Sequence, residues 1–109
     1  MASQLFAGPT ATLTGRVTNS VGDTLVEAQV KATQVETNQT FVAKTNSDGL
    51  YRLPNLPPGD YRVIVRLFGF RTIVKPDVDL HVQDVIALNF SMEVGSIIAS
   101  VTERERMPL

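Results

Sequence analysis

The chain contains no cysteine and no tryptophan, and its single histidine is His81. Without cysteine, disulfide frameworks, thiolate zinc sites and cysteine nucleophiles are excluded. One histidine supports neither a multi-histidine metal site nor a catalytic histidine pair. Charge of one sign is missing too: ten Lys and Arg stand against eleven Asp and Glu, a formal net charge of −1. A nucleic-acid binder needs a clear basic excess for its phosphate contacts, so that class is set aside. No run approaches the roughly 20 apolar residues of a transmembrane helix. Met1 to Pro9 lacks both a basic n-region and a sustained apolar stretch, so it does not read as an intact secretory signal.

What is present points to strands. The 109 residues suit one domain, and with 43% hydrophobic and 19% charged residues the chain can build a core. Val, Ile and Thr number 14, 5 and 11, more than a quarter of the chain, and β-branched residues favour strands. Ala11–Thr18 alternates Leu13, Gly15 and Val17 with Thr12, Thr14 and Arg16. Ala28–Val35 alternates Ala28, Val30 and Ala32 with Gln29, Lys31 and Thr33. Thr40–Thr45 is a third strand, in which either Phe41 or Val42 faces inward. Gly49–Leu53 places Tyr51 and Leu53 on one face, and Asp60–Leu67 does the same for Tyr61, Val63, Val65 and Leu67. Phe70–Val74 and Val78–Val82 follow as separate strands around Lys75-Pro76-Asp77, with Leu80 inward. Val85–Met92 closes the series, with Ile86, Leu88, Phe90 and Met92 on one side.

Turn chemistry separates these runs: Asn19–Asp23, Glu36–Gln39, Asn46–Gly49 and Leu56–Gly59. In Asn46-Ser47-Asp48-Gly49 the expectation is that Asp48 caps its own backbone and Gly49 takes a positive φ. Leu56-Pro57-Pro58-Gly59 reads as a type II turn, with Pro58 presetting φ and Gly59 in the left-handed position. Ser20–Glu27 has room for one helical turn at most, and no segment shows a helical period. The pattern predicts an all-β fold: about seven strands in an antiparallel β-sandwich. Residues 1–10 read as an N-terminal extension, 11–94 as the domain, and 95–109 as an exit linker from a longer protein.

An ordered series of motifs resembles the carboxypeptidase regulatory-like domain. It comprises Thr14-Gly15-Arg16-Val17-Thr18, Ala28-Gln29-Val30, Asn46-Ser47-Asp48-Gly49-Leu50-Tyr51-Arg52-Leu53, Leu56-Pro57-Pro58-Gly59-Asp60-Tyr61-Arg62-Val63 and Phe68-Gly69-Phe70. The resemblance spans roughly Ala11 to Val94 and implies a seven-stranded, transthyretin-like (prealbumin-like) Greek-key sandwich. The residues themselves suggest fold-determining roles. Gly15 lies on an inward face where a side chain would press on the opposite sheet. Gly49, Pro58 and Gly59 shape turns, and Tyr51 and Tyr61 bury rings while their hydroxyls reach a loop carbonyl or the rim.

The tail extends the resemblance. Glu93-Val94-Gly95-Ser96-Ile97 followed by a β-prone stretch looks like the N-terminal extension of TonB-dependent outer-membrane receptors. That resemblance implies a periplasmic location, transport by the rest of a larger outer-membrane protein, and capture of a short segment by the periplasmic domain of TonB as an added strand. Ile97, Ile98, Val101 and Thr102 are the candidate partner-binding residues, and main-chain hydrogen bonds would supply affinity. The plainer alternative is a linker whose β-branched residues pair with the sandwich edge.

No catalytic, cofactor-binding or metal-binding residues are expected from the sequence. 5-Hydroxyisourate hydrolase shares the transthyretin-like fold but uses several His and Arg residues and a C-terminal Tyr-Arg-Gly-Ser; this chain has His81 alone and ends in Met-Pro-Leu. Adhesin B-type repeats place an isopeptide-forming Lys on the first strand, where this chain has Arg16. His81 is expected to point outward beside Asp79 and Asp84. Asp77, Asp79 and Asp84 lack the tight, Gly-pivoted loop of a calcium site and read as a solvated edge. Arg52, Arg62 and Arg66 share outward parity and are expected to lie close together, as a charged outer face or a site for an acidic partner or glycan. Asn38-Gln39-Thr40 and Asn89-Phe90-Ser91 match the glycosylation sequon. The reading is therefore a non-catalytic accessory or interaction domain. Its rivals are a folding-support domain appended to a secreted peptidase and a carbohydrate- or adhesin-type binding module. The latter is disfavoured because only seven Phe and Tyr are available and the core needs most of them.

Overall fold

The computed structural model describes residues 10–95. These residues form eight strands and no helix: β1 (Ala11–Asn19), β2 (Gln29–Gln34), β3 (Thr40–Lys44), β4 (Leu50–Leu56), β5 (Gly59–Arg66), β6 (Ile73–Leu80), β7 (Val85–Ala87) and β8 (Phe90–Met92). The strands make two four-stranded sheets. The first has the order β4-β1-β7, with β8 also paired to β1; the second has the order β3-β2-β5-β6. Inward residues of both sheets meet in one apolar core that includes Leu13, Val17, Val30, Tyr51, Leu56, Tyr61, Val63, Leu80 and Met92. This is the all-β sandwich that alternation implies, because each strand buries one face and wets the other.

Three details differ from the sequence reading. Phe70–Val74 and Val78–Val82 are not two strands. Residues 73–80 run as one strand, β6, with a shift in register between the Tyr61–Val78 and Val63–Lys75 pairs. Pro76 is tolerated because β6 is an edge strand, and Asp77 takes a φ of 61° where the ladder slips. Conversely, Val85–Met92 is interrupted at Leu88–Asn89 and gives β7 and β8. The pairing is also not wholly antiparallel, because β7 and β8 both run parallel to β1. Alternation fixes which face a residue occupies but carries no information on strand direction. The open choice in the third strand resolves to Phe41, which packs against the core, while Val42 is 50% exposed.

Candidate functional site

The centre of the first sheet is organised by Gly15. A Cβ there would lie 1.9 Å from the Leu88 carbonyl oxygen and 3.0 Å from the Tyr51 ring. The obstacle is thus backbone between β7 and β8, not the opposite sheet as expected from sequence. Gly15 is the partner of Tyr51 across β1 and β4, so the Tyr51 ring can lie over the glycine. Its hydroxyl then donates to the Leu88 carbonyl at 2.7 Å on the far side of β1. One side chain therefore ties three neighbouring strand segments.

This diversion explains the split between β7 and β8. The parallel ladder begins regularly: Thr12 N–H donates to Asp84 O, and Leu88 N–H donates to Thr14 O, each at 2.8 Å. The next bond in the series would run from Arg16 N–H to the Leu88 carbonyl. That carbonyl is turned to Tyr51 instead, and Arg16 N–H donates to Asn89 Oδ1 at 2.9 Å. Beyond this substitution the register resumes unchanged, from Val17–Phe90 to Asn19–Met92. Asn89, one of the two sequon residues, thus acts as a stand-in for a backbone acceptor. Sequence alternation could show only that it faces away from the core.

The second pair of fold residues shapes the crossing from β4 to β5. Gly59 has a φ of 147°, and a Cβ there would sit 2.7 Å from Gln34 Nε2. The expected type II turn does not form: Gly59 is far from the φ of about 80° that position i+2 requires, and no backbone hydrogen bond joins Asp60 N–H to Pro57 O. Side chains secure the crossing instead. Gln34 Nε2 donates to Pro58 O at 3.0 Å, and the Tyr61 hydroxyl donates back to Pro57 O. The Tyr61 contact, from near a strand start to backbone four residues upstream, has the form of a tyrosine corner. Burial raises the pKa of Tyr51, and likewise that of Tyr61.

Two turns share one pattern, and in one of them the capping residue differs from the sequence expectation. In Asn46–Gly49 the cap is Asn46, not Asp48: its Oδ1 accepts from Asp48 N–H and Leu50 N–H. Asn19 does the same for Val21 and Asp23, and each asparagine carbonyl accepts from the glycine three residues on. The repeated Asn-x-x-Gly is the signal that identifies both. Gly49 combines a φ of 75° with a Cβ position 2.8 Å from Val17 O. Thr45 gave no such signal. It is buried, donates through Oγ1 to Leu25 O at 2.7 Å and accepts from Ala28 N–H at 2.9 Å, which fastens the β1–β2 connection.

The charged side chains lie outside the core. His81 contacts Asp79 at 3.2 Å and Asp84 at 3.3 Å, with 71% of its side chain exposed. Asp60 and Asp79 are cross-strand partners on β5 and β6. The Asp79 charge holds the exposed Asp60 carboxyl above its ordinary range, with lesser contributions from desolvation, their mutual hydrogen bond, Asp77 and Glu36. Among the described residues no group of three or more His, Asp and Glu is arranged to hold a metal ion. The arginines do not converge. Arg52 is on β4 in the first sheet, whereas Arg62 and Arg66 are on β5 in the second, so the outward faces they occupy look in opposite directions. Parity assigns a residue to an outer face without saying which sheet owns it.

Two features remain that could engage another chain. One is the exit: Arg71 N–H donates to Glu93 O at 2.8 Å and Gly95 N–H to Gly69 O at 2.9 Å, so the chain leaves β8 pinned beside the β5–β6 connection. Phe68, 86% exposed, and Val94, 72% exposed, lie at this end. Ile97, Ile98, Val101 and Thr102 fall outside the described residues. The other feature is the strand edges. A groove of about 430 Å³, lined by Ala43, Lys44, Leu50 and Arg52 among others, runs between the edge strands β3 and β4.

A family model of the carboxypeptidase regulatory-like domain matches residues 12–93. The chain belongs to that family. The match runs from the second residue of β1 through β8 and stops two residues before Gly95. Comparison with curated proteins finds no match. Among solved structures, the regulatory-like domain is similar to the TIE protein of Bacillus anthracis, at 20% identity and a TM-score of 0.64, over 79% of this chain and 17% of that one. It is also similar to catechol 1,2-dioxygenase of Acinetobacter radioresistens, at 13% identity and a TM-score of 0.65, over 90% and 56% of the two chains. A third is a type II cohesin–X-dockerin complex of Acetivibrio cellulolyticus, at 17% identity and a TM-score of 0.58, over 78% and 58%. At such identities the likeness is one of fold. The regulatory-like domain spans less than two thirds of each of these chains.

Proposed function

We propose that this regulatory-like domain is a non-catalytic interaction module of a larger protein, at the periplasmic, N-terminal end of a TonB-dependent outer-membrane receptor. The observation that carries the reading is the exit of the chain. Glu93–Gly95 is held by backbone hydrogen bonds to Gly69–Arg71, immediately before the β-prone Ile97–Thr102. A segment presented from so fixed a point is suited to capture by strand addition, because less freedom is lost on binding than for a fully loose tail. The non-catalytic part of the reading is supported by the family and by the placement of the side chains. The one histidine sits at the surface between two carboxylates, Asp79 and Asp84.

A second reading, a folding-support domain beside a secreted peptidase, is favoured by the family description itself. A sugar-binding role has little support, since Tyr51 and Tyr61 are buried and Phe90 nearly so, leaving Phe68 as a lone exposed ring among the described aromatics. Titration of the 109-residue chain with a periplasmic TonB domain separates these readings. Binding is expected for the whole chain and not after deletion of Ile97–Leu109. Equal binding by both forms would remove the tail from the mechanism, and absence of binding by both would favour the peptidase reading.

A further inference from the structure

The four edges of the sandwich are not equally protected. The β4 edge carries Pro54 and a slip in register at Asn55, whose φ is 61°. The β6 edge carries Pro76 and the slip at Asp77. The β7–β8 edge is two three-residue strands broken at Leu88–Asn89. Such breaks are how sheets discourage edge pairing. The edge formed by β3 has none of them: Thr40–Lys44 contains no proline, and its register with β2 runs unbroken from Gln29–Lys44 to Thr33–Thr40. The bonds Gln34 N–H to Gln39 O and Thr45 N–H to Ala28 O bracket this ladder. Alternation between them assigns the N–H and C=O groups of Phe41 and Ala43 to β2, and turns those of Thr40, Val42 and Lys44 outward.

We propose that β3 pairs with β3 of a second copy of this chain, antiparallel and two-fold symmetric about Val42. The outward backbone groups fall in the required positions. Val42 would exchange both hydrogen bonds with Val42 of the second copy, and Thr40 with Lys44, which makes six bonds across one continuous eight-stranded sheet. The side chains fit the same register. The half-exposed Val42 meets its own counterpart on the outer face. Phe41, already packed against the core, meets Ala43 on the inner face and continues the apolar layer. Lys44 stands opposite Thr40, so the two lysines are roughly 14 Å apart, beyond the screening length at physiological salt. Each also has Glu27 of its own chain at 3.8 Å. A one-residue slip would instead place outward-facing backbone groups against inward-facing ones, so the symmetric register is the one favoured.

The absence of cysteine makes the test direct. Three single-cysteine variants of the 109-residue chain, Thr40→Cys, Val42→Cys and Lys44→Cys, are oxidised mildly, with Val74→Cys on the β6 edge as control. Hydrogen-bonded pairs have Cα atoms about 5.5 Å apart, within disulfide range. The expected result is a disulfide dimer from Val42→Cys alone, and from Thr40→Cys mixed with Lys44→Cys, but not from either of those singly or from the control. Sedimentation equilibrium on Val42→Lys, with an unchanged melting curve, should show self-association weakened several-fold. Cross-linking at all four positions alike, or a chain that stays monomeric at millimolar concentration, would overturn the proposal. So would a dimer that resists Val42→Lys but disappears on deletion of residues 97–109, since that places the contact in the tail.

Discussion

The two sheets of the sandwich are built by different means. In the second sheet, β2, β3 and the body of β5 align by backbone ladder and side-chain alternation, with one slip confined to the outer strand β6. In the first sheet, side chains replace ladder bonds. Tyr51 takes the Leu88 carbonyl, and Asn89 supplies Arg16 with the acceptor so lost. The comparison teaches that regularity and specificity are separated in this domain. The first sheet fixes its arrangement through side chains that take over ladder bonds, and the second keeps a plain ladder whose outer strand β3 turns the backbone groups of Thr40, Val42 and Lys44 outward.

The largest break in that contrast should come from Gly15→Ala. A single methyl group would meet backbone at 1.9 Å, so loss of at least about 3 kcal/mol is expected, measured by urea unfolding. Ala32→Gly, at a buried site of the second sheet, should cost about 1 kcal/mol, with no rearrangement of neighbouring strands. Next in size, Gly59→Val combines an unfavourable φ of 147° with the Gln34 contact and should destabilise by about 2 kcal/mol. An unchanged melting temperature would contradict the account of the β4–β5 crossing.

Tyr51→Phe sharpens the comparison. It leaves the Leu88 carbonyl without either its ladder donor or its hydroxyl donor, so a loss of about 1–3 kcal/mol is expected. Tyr61→Phe should cost less, about 1 kcal/mol, because it removes one bond without disturbing a ladder. Both tyrosines have raised pKa values in the folded state, so the unfolded chain ionises first. Stability should therefore fall as pH rises above about 10, and each Phe variant should flatten that decline. The smallest effect belongs to the surface of the second sheet. Asp60 binds its proton more tightly when folded than when unfolded, because Asp79 faces it. Its contribution to stability therefore falls as pH rises from about 3.9 upward. Asp60→Asn should raise the melting temperature slightly at pH 7, and the gain should vanish in acid.

Much of the fold was legible because alternation is a direct consequence of one buried face. Leu13, Val17, Val30, Tyr51, Tyr61, Val63, Val65 and Leu80 all occupy the inward side that period two assigns them. The rest was hidden for physical reasons. Strand direction leaves no trace in alternation, so the parallel runs of β7 and β8 beside β1 could not be read. Asn89 looks like any outward polar residue until the Leu88 carbonyl is seen to turn away. Arg52 shares outward parity with Arg62 and Arg66, but parity names a face and not a sheet. Gln34 and Thr45 act through loops that meet only when both sheets are in place.

Residue-resolved amide exchange on the whole chain tests the division between the sheets most directly. In dilute solution the Arg16 amide should be protected and should lose that protection in Asn89→Ala, while Thr40, Val42 and Lys44 exchange fast beside slow Phe41 and Ala43. An Arg16 amide indifferent to Asn89, or Val42 as slow as Phe41 under dilute conditions, would contradict the account.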